Sequence, residues 1–333
     1  MFGYLSNTNI KGIYTVVPAN CTENRDCAGE LTDRELKKQI KVTGIERRHL
    51  VAGGQTSSDL CTLAAERLMK KLGWERDSIR VLLYVTQTPD FDRPSTAFLI
   101  QKRLKLSKDC LVFDVNMGCS GYLGGMVTIA SILQTCGGRG LLLVGDGDAD
   151  LERSGKGENL LMGDAGSATA LQYCEEQARL PYSMYSDGSG YKVLMKKKGG
   201  PVEMNAAAVF SFAINEVTEC IHDFKEKNAL QEDQIDLYVF HQAQKLILDS
   251  IVEICHLPEK KILMSMRDYG NTIGASIPLT LCRNREKLAG REKVRVLLCG
   301  FGIGLSWGCL YVEMDSDTIF ELEESGFCYD DRS

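Results

Sequence analysis

The chain predicts a layered α/β fold built from two similar halves. Segments of strand length alternate with segments of helical period from Ile10 to Val312. The runs Cys110–Val115 and Ile235–Phe240 are largely apolar, as strands in a buried sheet are. The alternation begins again after about residue 175, with a rhythm like that of the first half. Alternating strands and helices imply a parallel-rich sheet covered by helices. The chain divides as 1–175, a first half; 176–314, a second half; and 315–333, an acidic and polar extension. The halves share rhythm more than residues, the pattern of an old internal duplication.

The elements follow in order. Ile10–Val17 is a first strand, and Thr32–Lys41 a short polar helix. Ser57 or Ser58 caps a helix that Gly73 stops, with Leu60, Leu63, Ala64 and Leu68 on its apolar face. Ile79–Val85 is a strand, Thr86–Pro94 a loop, and Ser95–Leu104 a helix. Cys110–Val115 is a buried strand, followed after a turn by the apolar helix Gly121–Gln134. Gly140–Val144 is a strand, Asp146–Glu158 a surface excursion, and Gly163 leads into a strand that ends near Tyr173. In the second half, Pro181–Gly200 holds strands and loops, and Ala206–Lys227 is one long helix. The strand Ile235–Phe240 ends at His241. The helix Gln244–Cys255, the strand Lys261–Met264 and a helix from Ile273 to Leu288 come next. Val294–Val312 forms two strands joined at Gly300-Phe-Gly-Ile-Gly304. The tail after Met314 is a peripheral extension, dispensable for chemistry, whose Ile319, Phe320 and Phe327 can dock on the body.

Composition narrows the function classes. The 333 residues carry a net charge of −6 spread along the chain, which gives no basic footprint for nucleic acid. No stretch is long and apolar enough to span a membrane, and the N-terminus has no signal-peptide pattern. The 13 scattered cysteines include no C-x-x-C, which points to a reducing cytoplasm rather than a disulfide framework. The four histidines, His49, His222, His241 and His256, have no metal-pair spacing, so no metal site is expected.

Chemistry collects at three positions. Cys119 stands where a strand hands over to a helix. The helix N-terminus has free N–H groups and a positive dipole end, which favour thiolate. A buried structural cysteine is the alternative at that position. His241 directly follows a buried strand, where active groups of α/β folds gather, although a core histidine fits too. Asn271 either caps the next helix or turns its amide into a cleft, and the two are compatible. Phe301-Gly-Ile-Gly304 is a glycine hairpin or a donor of backbone N–H groups to an oxyanion. Cys, His and Asn together suit thioester chemistry. The thiolate takes an acyl group, and two donors stabilise the enolate left when a malonyl thioester loses CO2.

Seven segments in order resemble the β-ketoacyl-acyl-carrier-protein synthase III family of the thiolase superfamily. They are Thr43-Gly-Ile-Glu-Arg-Arg-His49, Pro94-Ser-Thr-Ala97, Asp114-Val-Asn-Met-Gly-Cys-Ser-Gly121, Gly163-Asp-Ala-Gly-Ser-Ala168, His241-Gln-Ala243, Tyr269-Gly-Asn-Thr272 and Gly300-Phe-Gly-Ile-Gly-Leu-Ser-Trp-Gly308. The resemblance implies a five-layer αβαβα thiolase-like fold and a homodimer. It implies Cys119 as the acylated nucleophile, His241 and Asn271 as the pair that promotes decarboxylation, and the N–H groups of Cys119 and Ile303 as the oxyanion hole. Phe301 matches a phenylalanine over the cysteine. Coenzyme A or acyl-carrier-protein thioesters are the implied substrates, with no further cofactor.

The departures lie on the substrate-handling surfaces. Lys38 and Val42 stand where the family has a tryptophan and an arginine for adenine. Lys156 stands for an arginine, and Ala207 for an asparagine that holds pantetheine. The carrier face becomes His241-Gln-Ala-Gln-Lys-Leu246, and a basic pair becomes Glu253-Ile254, with Lys245, Lys260 and Lys261 left to attract an acidic carrier. Arg93 replaces an aromatic residue at the acyl pocket. It either holds an anionic acyl group or pairs at a dimer interface. A specialised condensing enzyme is the leading expectation. Transfer of the acyl group to an oxygen or nitrogen acceptor, and a non-catalytic partner subunit, are the alternatives.

Overall fold

The computed structural model describes residues 1–27, 29, 31–147, 160–175, 179–198 and 200–331. The expected excursion after Asp146 therefore lies almost wholly outside the described residues. The strands are β1 (Phe2–Leu5), β2 (Thr8–Pro18), β3 (Cys21–Glu23), β4 (Arg47–His49), β5 (Ile79–Val85), β6 (Leu111–Val115), β7 (Arg139–Asp146), β8 (Ala165–Tyr173), β9 (Leu180–Ser186), β10 (Leu194–Lys196), β11 (Val202–Met204), β12 (Leu237–Phe240), β13 (Ile262–Leu263), β14 (Lys293–Gly302), β15 (Ser306–Asp315) and β16 (Ile319–Ser325). The helices are α1 (Asp33–Thr43), α2 (Ser57–Leu72), α3 (Thr96–Leu104), α4 (Gly121–Cys136), α5 (Ala206–Phe212), α6 (Thr218–Lys227), α7 (Lys245–Ile254), α8 (Met266–Tyr269), α9 (Ser276–Arg283) and α10 (Arg285–Leu288).

Two six-stranded sheets carry the fold, in the orders β16-β2-β8-β7-β5-β6 and β1-β9-β15-β14-β12-β13. Within the first, β2, β8 and β7 run antiparallel, and β7, β5 and β6 run parallel. Within the second, β9, β15 and β14 run antiparallel, and β14, β12 and β13 run parallel. The two halves thus repeat one strand order and one pattern of strand direction. Each sheet also takes its outermost strand from the other end of the chain. β16 joins β2 in parallel, and β1 joins β9 antiparallel.

The layers follow from which faces are apolar. Helix α4 is largely apolar, as a helix between two sheets must be, with polar residues confined mostly to its exposed C-terminal end, and packs against β5, β7, β8, β14 and β15. Helix α9 is its counterpart, between β2, β8 and β16 on one side and β12 on the other. Helices α2 and α3 cover the outer face of the first sheet, and α6 covers β9 and β15. The result is the expected five-layer αβαβα thiolase-like arrangement.

Local signals set most boundaries. Thr32 and Glu35 form a capping box at the start of α1. Gly73, with φ of 61°, ends α2 as expected, whereas its N-cap is Thr56 rather than a serine. The segment 206–227 is not one regular helix. A π-helical turn at Ala213–Val217 separates α5 from α6. Residues 319–325 are an integral strand rather than a docked tail. The segment after Asn271 passes through a 3₁₀ turn, Ile273–Ala275, before α9.

Candidate active site

The carboxyl ends of strands from both sheets meet at one place, and the sequence candidates lie just beyond them. The strand β6 runs into the turn that carries Cys119, and Ser120 caps α4 just beyond. The strand β12 ends at Phe240, so His241 is the next residue. The strand β13 leads through α8 to Asn271. The β14–β15 hairpin contributes Phe301 to Gly304. This convergence follows the rule that α/β folds bind ligands beyond the carboxyl ends of their strands.

Contacts close these pieces into one cluster. A Cβ added to Gly302 would lie 2.6 Å from the Cys119 Cβ and 2.8 Å from its Sγ, so only a residue without a side chain fits. Ile303 lies against Gly118, where a Cβ would meet the Ile303 Cγ2 at 2.6 Å. Ser306 fastens the hairpin to the start of α4. Its hydroxyl is 2.6 Å from Ser120 Oγ and donates to the Ile303 carbonyl at 2.8 Å. Phe301 is buried and meets the His241 ring edge to face, with centroids 5.5 Å apart. The N–H of Ile273 donates to Asn271 Oδ1 at 3.0 Å, and the backbone of Ile273 also hydrogen-bonds the His241 ring. A Cβ on Gly274 would come 3.2 Å from the Gly118 carbonyl, which returns the circuit to Cys119.

Each group is held in a defined state. His241 is 2% exposed, and burial pushes its imidazole down to about 3, so the ring is neutral at ordinary pH. Its Nδ1 is 2.8 Å from Ser276 Oγ, which leaves Nε2 as the nitrogen not engaged by Ser276. Asn271 has its oxygen occupied by Ile273. Among the described residues its Nδ2 makes only a long 3.4 Å bond to the Ala243 carbonyl, which leaves donor capacity for a ligand. Cys119 departs from expectation. Burial pushes the thiol up to about 12, and the Asp146 charge adds to this. Opposing them are the backbone N–H groups of Ile303 and of Cys119 itself. The helix end was expected to draw the thiol down. Its sulfur is instead packed under Gly302, where loss of hydration outweighs the local donors.

Comparison with known proteins decides the family. Residues 113–188 match the family described as 3-Oxoacyl-[acyl-carrier-protein (ACP)] synthase III, and residues 226–314 match its C-terminal counterpart. The chain is 32% identical to the β-ketoacyl-[acyl-carrier-protein] synthase III of Rhodopirellula baltica, covering 92% of this chain and 98% of that protein. It belongs to the 3-oxoacyl-[acyl-carrier-protein] synthase III family. The β-ketoacyl-[acyl-carrier-protein] synthase III of Geobacillus kaustophilus is also 32% identical, over 84% of this chain and 93% of that protein. The crystal structure of 3-oxoacyl-(acyl-carrier protein) synthase from Burkholderia xenovorans LB400 superposes with a TM-score of 0.91 at 28% identity, covering 98% of both chains.

In this synthase III chain the pocket candidates separate. Phe301 lies in the cluster. Arg93 is exposed in the loop before α3, and Ala207 is exposed on α5. Lys156 lies outside the described residues. Of the lysines expected to face a carrier, Lys245 pairs with Asp249 and Lys261 with Glu232, and the neighbouring Leu246 and Ile254 are exposed. Among the described residues no group of three His, Cys, Asp or Glu could hold a metal ion, and no helix is long and apolar enough to cross a membrane.

Sequence reasoning missed Ser276, Gly302 and Asp146. Gly302 lies inside the Gly300–Gly308 segment and Ser276 four residues beyond Thr272, but only packing gives them partners. Asp146 ends β7 and is 2% exposed. Its Oδ1 accepts from the Gln87 N–H at 2.6 Å and from Thr86 Oγ1 at 3.2 Å, while Oδ2 has no hydrogen-bond partner among the described residues. Burial pushes this carboxyl up to about 7. Asp146→Asn keeps the Oδ1 acceptor and removes the charge that raises the thiol. Alkylation of Cys119 by iodoacetamide should therefore shift to lower pH, and an unmoved profile would contradict the assignment. Linkage gives a second sign. A carboxyl raised from 3.8 to about 7 loses its stabilising contribution as pH rises through that interval. The variant should accordingly gain stability over wild type above that interval and not below it.

Proposed function

We propose that this synthase III chain makes a carbon–carbon bond by decarboxylative Claisen condensation, and that Cys119, His241 and Asn271 carry the chemistry. The observation that supports it is the closed cluster. Cys119 lies against the Gly302–Ile303 backbone while His241 and Asn271 share the backbone of Ile273.

The Cys119 sulfur attacks the carbonyl of an acyl thioester. The tetrahedral oxyanion rests on the N–H groups of Cys119 and Ile303, the groups that already act on the sulfur. The C–S bond to the donor breaks, and the departing thiolate takes the thiol proton. A malonyl thioester then enters. Its C–C bond to the carboxylate breaks, CO2 leaves, and the electron pair forms an enolate. The enolate oxygen takes hydrogen bonds from neutral His241 and from Asn271 Nδ2. In the tautomer with the proton on Nε2, Ser276 O–H donates to Nδ1 and Nε2–H faces the oxygen. The carbanion attacks the acyl-cysteine, the C–S bond breaks, and the Cys119 thiolate takes a proton from solvent. The products are a 3-oxoacyl thioester and CO2.

We read the chain as a specialised member, because Lys38, Val42, Ala207 and Leu246 replace the polar and aromatic groups that the family resemblance leads one to expect. Acyl-carrier-protein thioesters are the proposed extender substrates, and Arg93 contacts either an anionic acyl group or a partner copy. A homodimer is proposed through β6. This strand is an edge of its sheet, and Leu111 on it and Phe98 on the adjoining α3 are 54% and 51% exposed. Leu111→Asp should sediment as a monomer where wild type sediments as a dimer. Equal sedimentation would remove this interface.

The test of the reaction is product analysis with an acyl thioester and malonyl-acyl-carrier-protein. Stoichiometric CO2 and a 3-oxoacyl product are expected. An ester or amide without CO2 release would overturn the reading.

A further inference from the structure

The segment Thr43–His49 is one of the seven that together carry the family resemblance, yet none of its side chains enters the proposed chemistry. Its Arg48 is 4% exposed on β4, an unusual place for a guanidinium unless something specific is held there. Arg48 Nε donates to Asn24 Oδ1 at 2.6 Å, and Nη1 donates to the Met162 carbonyl at 3.2 Å. Asn24 is fully buried. Its Nδ2 donates to the carbonyls of Leu160 at 2.9 Å and Ile45 at 3.0 Å. Arg48 and Asn24 therefore grip one short strip of backbone, residues 160–162, through two of its carbonyls.

The other edge of that strip holds Asn271. The Asn271 N–H donates to the Leu161 carbonyl at 2.9 Å, and the Gly163 N–H donates to the Asn271 carbonyl at 3.0 Å. Met162 and Asn271 form a parallel bridge. The strip lies close against the Asn271 segment at Gly163, where a Cβ would overlap the Tyr269 carbonyl oxygen. Nor is Asn271 braced only by its own turn. It is sandwiched between the strip and Ile273, which holds its side-chain oxygen.

We infer that Arg48 and Asn24 are positioning residues for Asn271, and that they govern decarboxylation of the extender but not loading of Cys119. The inference rests on the condensation reading given above. Cys119 and its oxyanion donors belong to the β6–α4 turn and to the β14–β15 hairpin, and neither touches the strip through a bond of Arg48 or Asn24. Displacing a reacting or stabilising group by about 1 Å costs on the order of 10²-fold in rate. Loss of either grip should therefore appear in one half-reaction only.

Two variants test this. Arg48→Lys keeps the charge but cannot fork to Asn24 and Met162. Asn24→Asp keeps the acceptor for Arg48 and gives up the donor to Leu160 and Ile45. Each is compared with wild type by two readouts. One is the rate of acyl uptake on Cys119 from acyl coenzyme A, followed by quenched intact-mass measurement. The other is CO2 release from malonyl-acyl-carrier-protein. Uptake within about twofold of wild type, with CO2 release down by about 10²-fold, is the expected result. Loss of both readouts together in a folded variant, or loss of neither, overturns the inference. If Arg48→Lys fails to fold, Asn24→Asp, which removes no buried side-chain volume, decides the matter. Failure of the condensation reading looks different, because wild type itself then loads Cys119 and releases no CO2.

Discussion

Cys119→Ala should take up no acyl group from any thioester, and condensation should fall by a factor on the order of 10⁴ or more. The variant loses the only atom on which the acyl group is held. The backbone around it has little reason to move, because Gly302 already packs against the Cβ that alanine keeps. His241 and Asn271 stay braced by Ser276, Ile273 and the strip at 160–162. The folded variant should therefore still release CO2 from malonyl-acyl-carrier-protein without making a 3-oxoacyl product. Intact-mass measurement and CO2 analysis on one sample check both statements. An acyl adduct on Cys119→Ala would place the nucleophile elsewhere, and the assignment of this cluster would fall with it.

Truncation after Met314 should cost the chain its fold rather than a dispensable tail. Residues 319–325 pair with β2 in continuous parallel register, from Ile319 opposite Gly12 to Ser325 opposite Pro18. The acidic residues that made the segment look solvated point at basic partners. Glu321 meets Lys71 and Arg285, and Glu323 meets Arg67 and the Tyr14 hydroxyl. Further on, Asp331 reaches Arg103 at 2.8 Å, whose side chain is buried with Asp59, and the Tyr329 ring lies 4.4 Å from that guanidinium. Removing all of this bares the edge of β2 and strips one partner from a buried charge. The loss is about 5 kcal/mol, summed from ladder bonds and the buried pair. That corresponds to a fall in melting temperature of roughly 10 °C, or to insoluble protein. A truncated chain that melts with the full-length protein would show that β16 contributes nothing to stability.

The sequence was most legible where structure is set by near neighbours. Alternation of strand and helix and the stop at Gly73 need only a few residues to act, and they appear as read. The three chemical residues were legible for a related reason. Each follows a strand or opens a helix, and α/β topology sends such positions to one end of the sheet. Elements whose partners are remote were not legible. β16 alternates glutamates with Phe320 and Leu322, and reads as polar until α2 and α10 supply its counter-charges. β1 is four residues long and finds β9 about 180 residues away.

By itself the sequence determined the class of fold, the order of the elements and the identity of Cys119, His241 and Asn271 as the candidates. Only the tertiary structure decided the state and support of each candidate. It placed Gly302 on the sulfur, Ser276 on the His241 ring, and the strip gripped by Arg48 behind Asn271. It also reversed the direction expected for the thiol. A helix end can be recognised from local residues, and its pull on a thiolate is a local effect. Loss of hydration depends on every group packed around the sulfur, and those groups come from β14, the β14–β15 turn and β7. Burial is a property of the assembled chain, so the sign of that balance became readable only after the two halves had closed over Cys119.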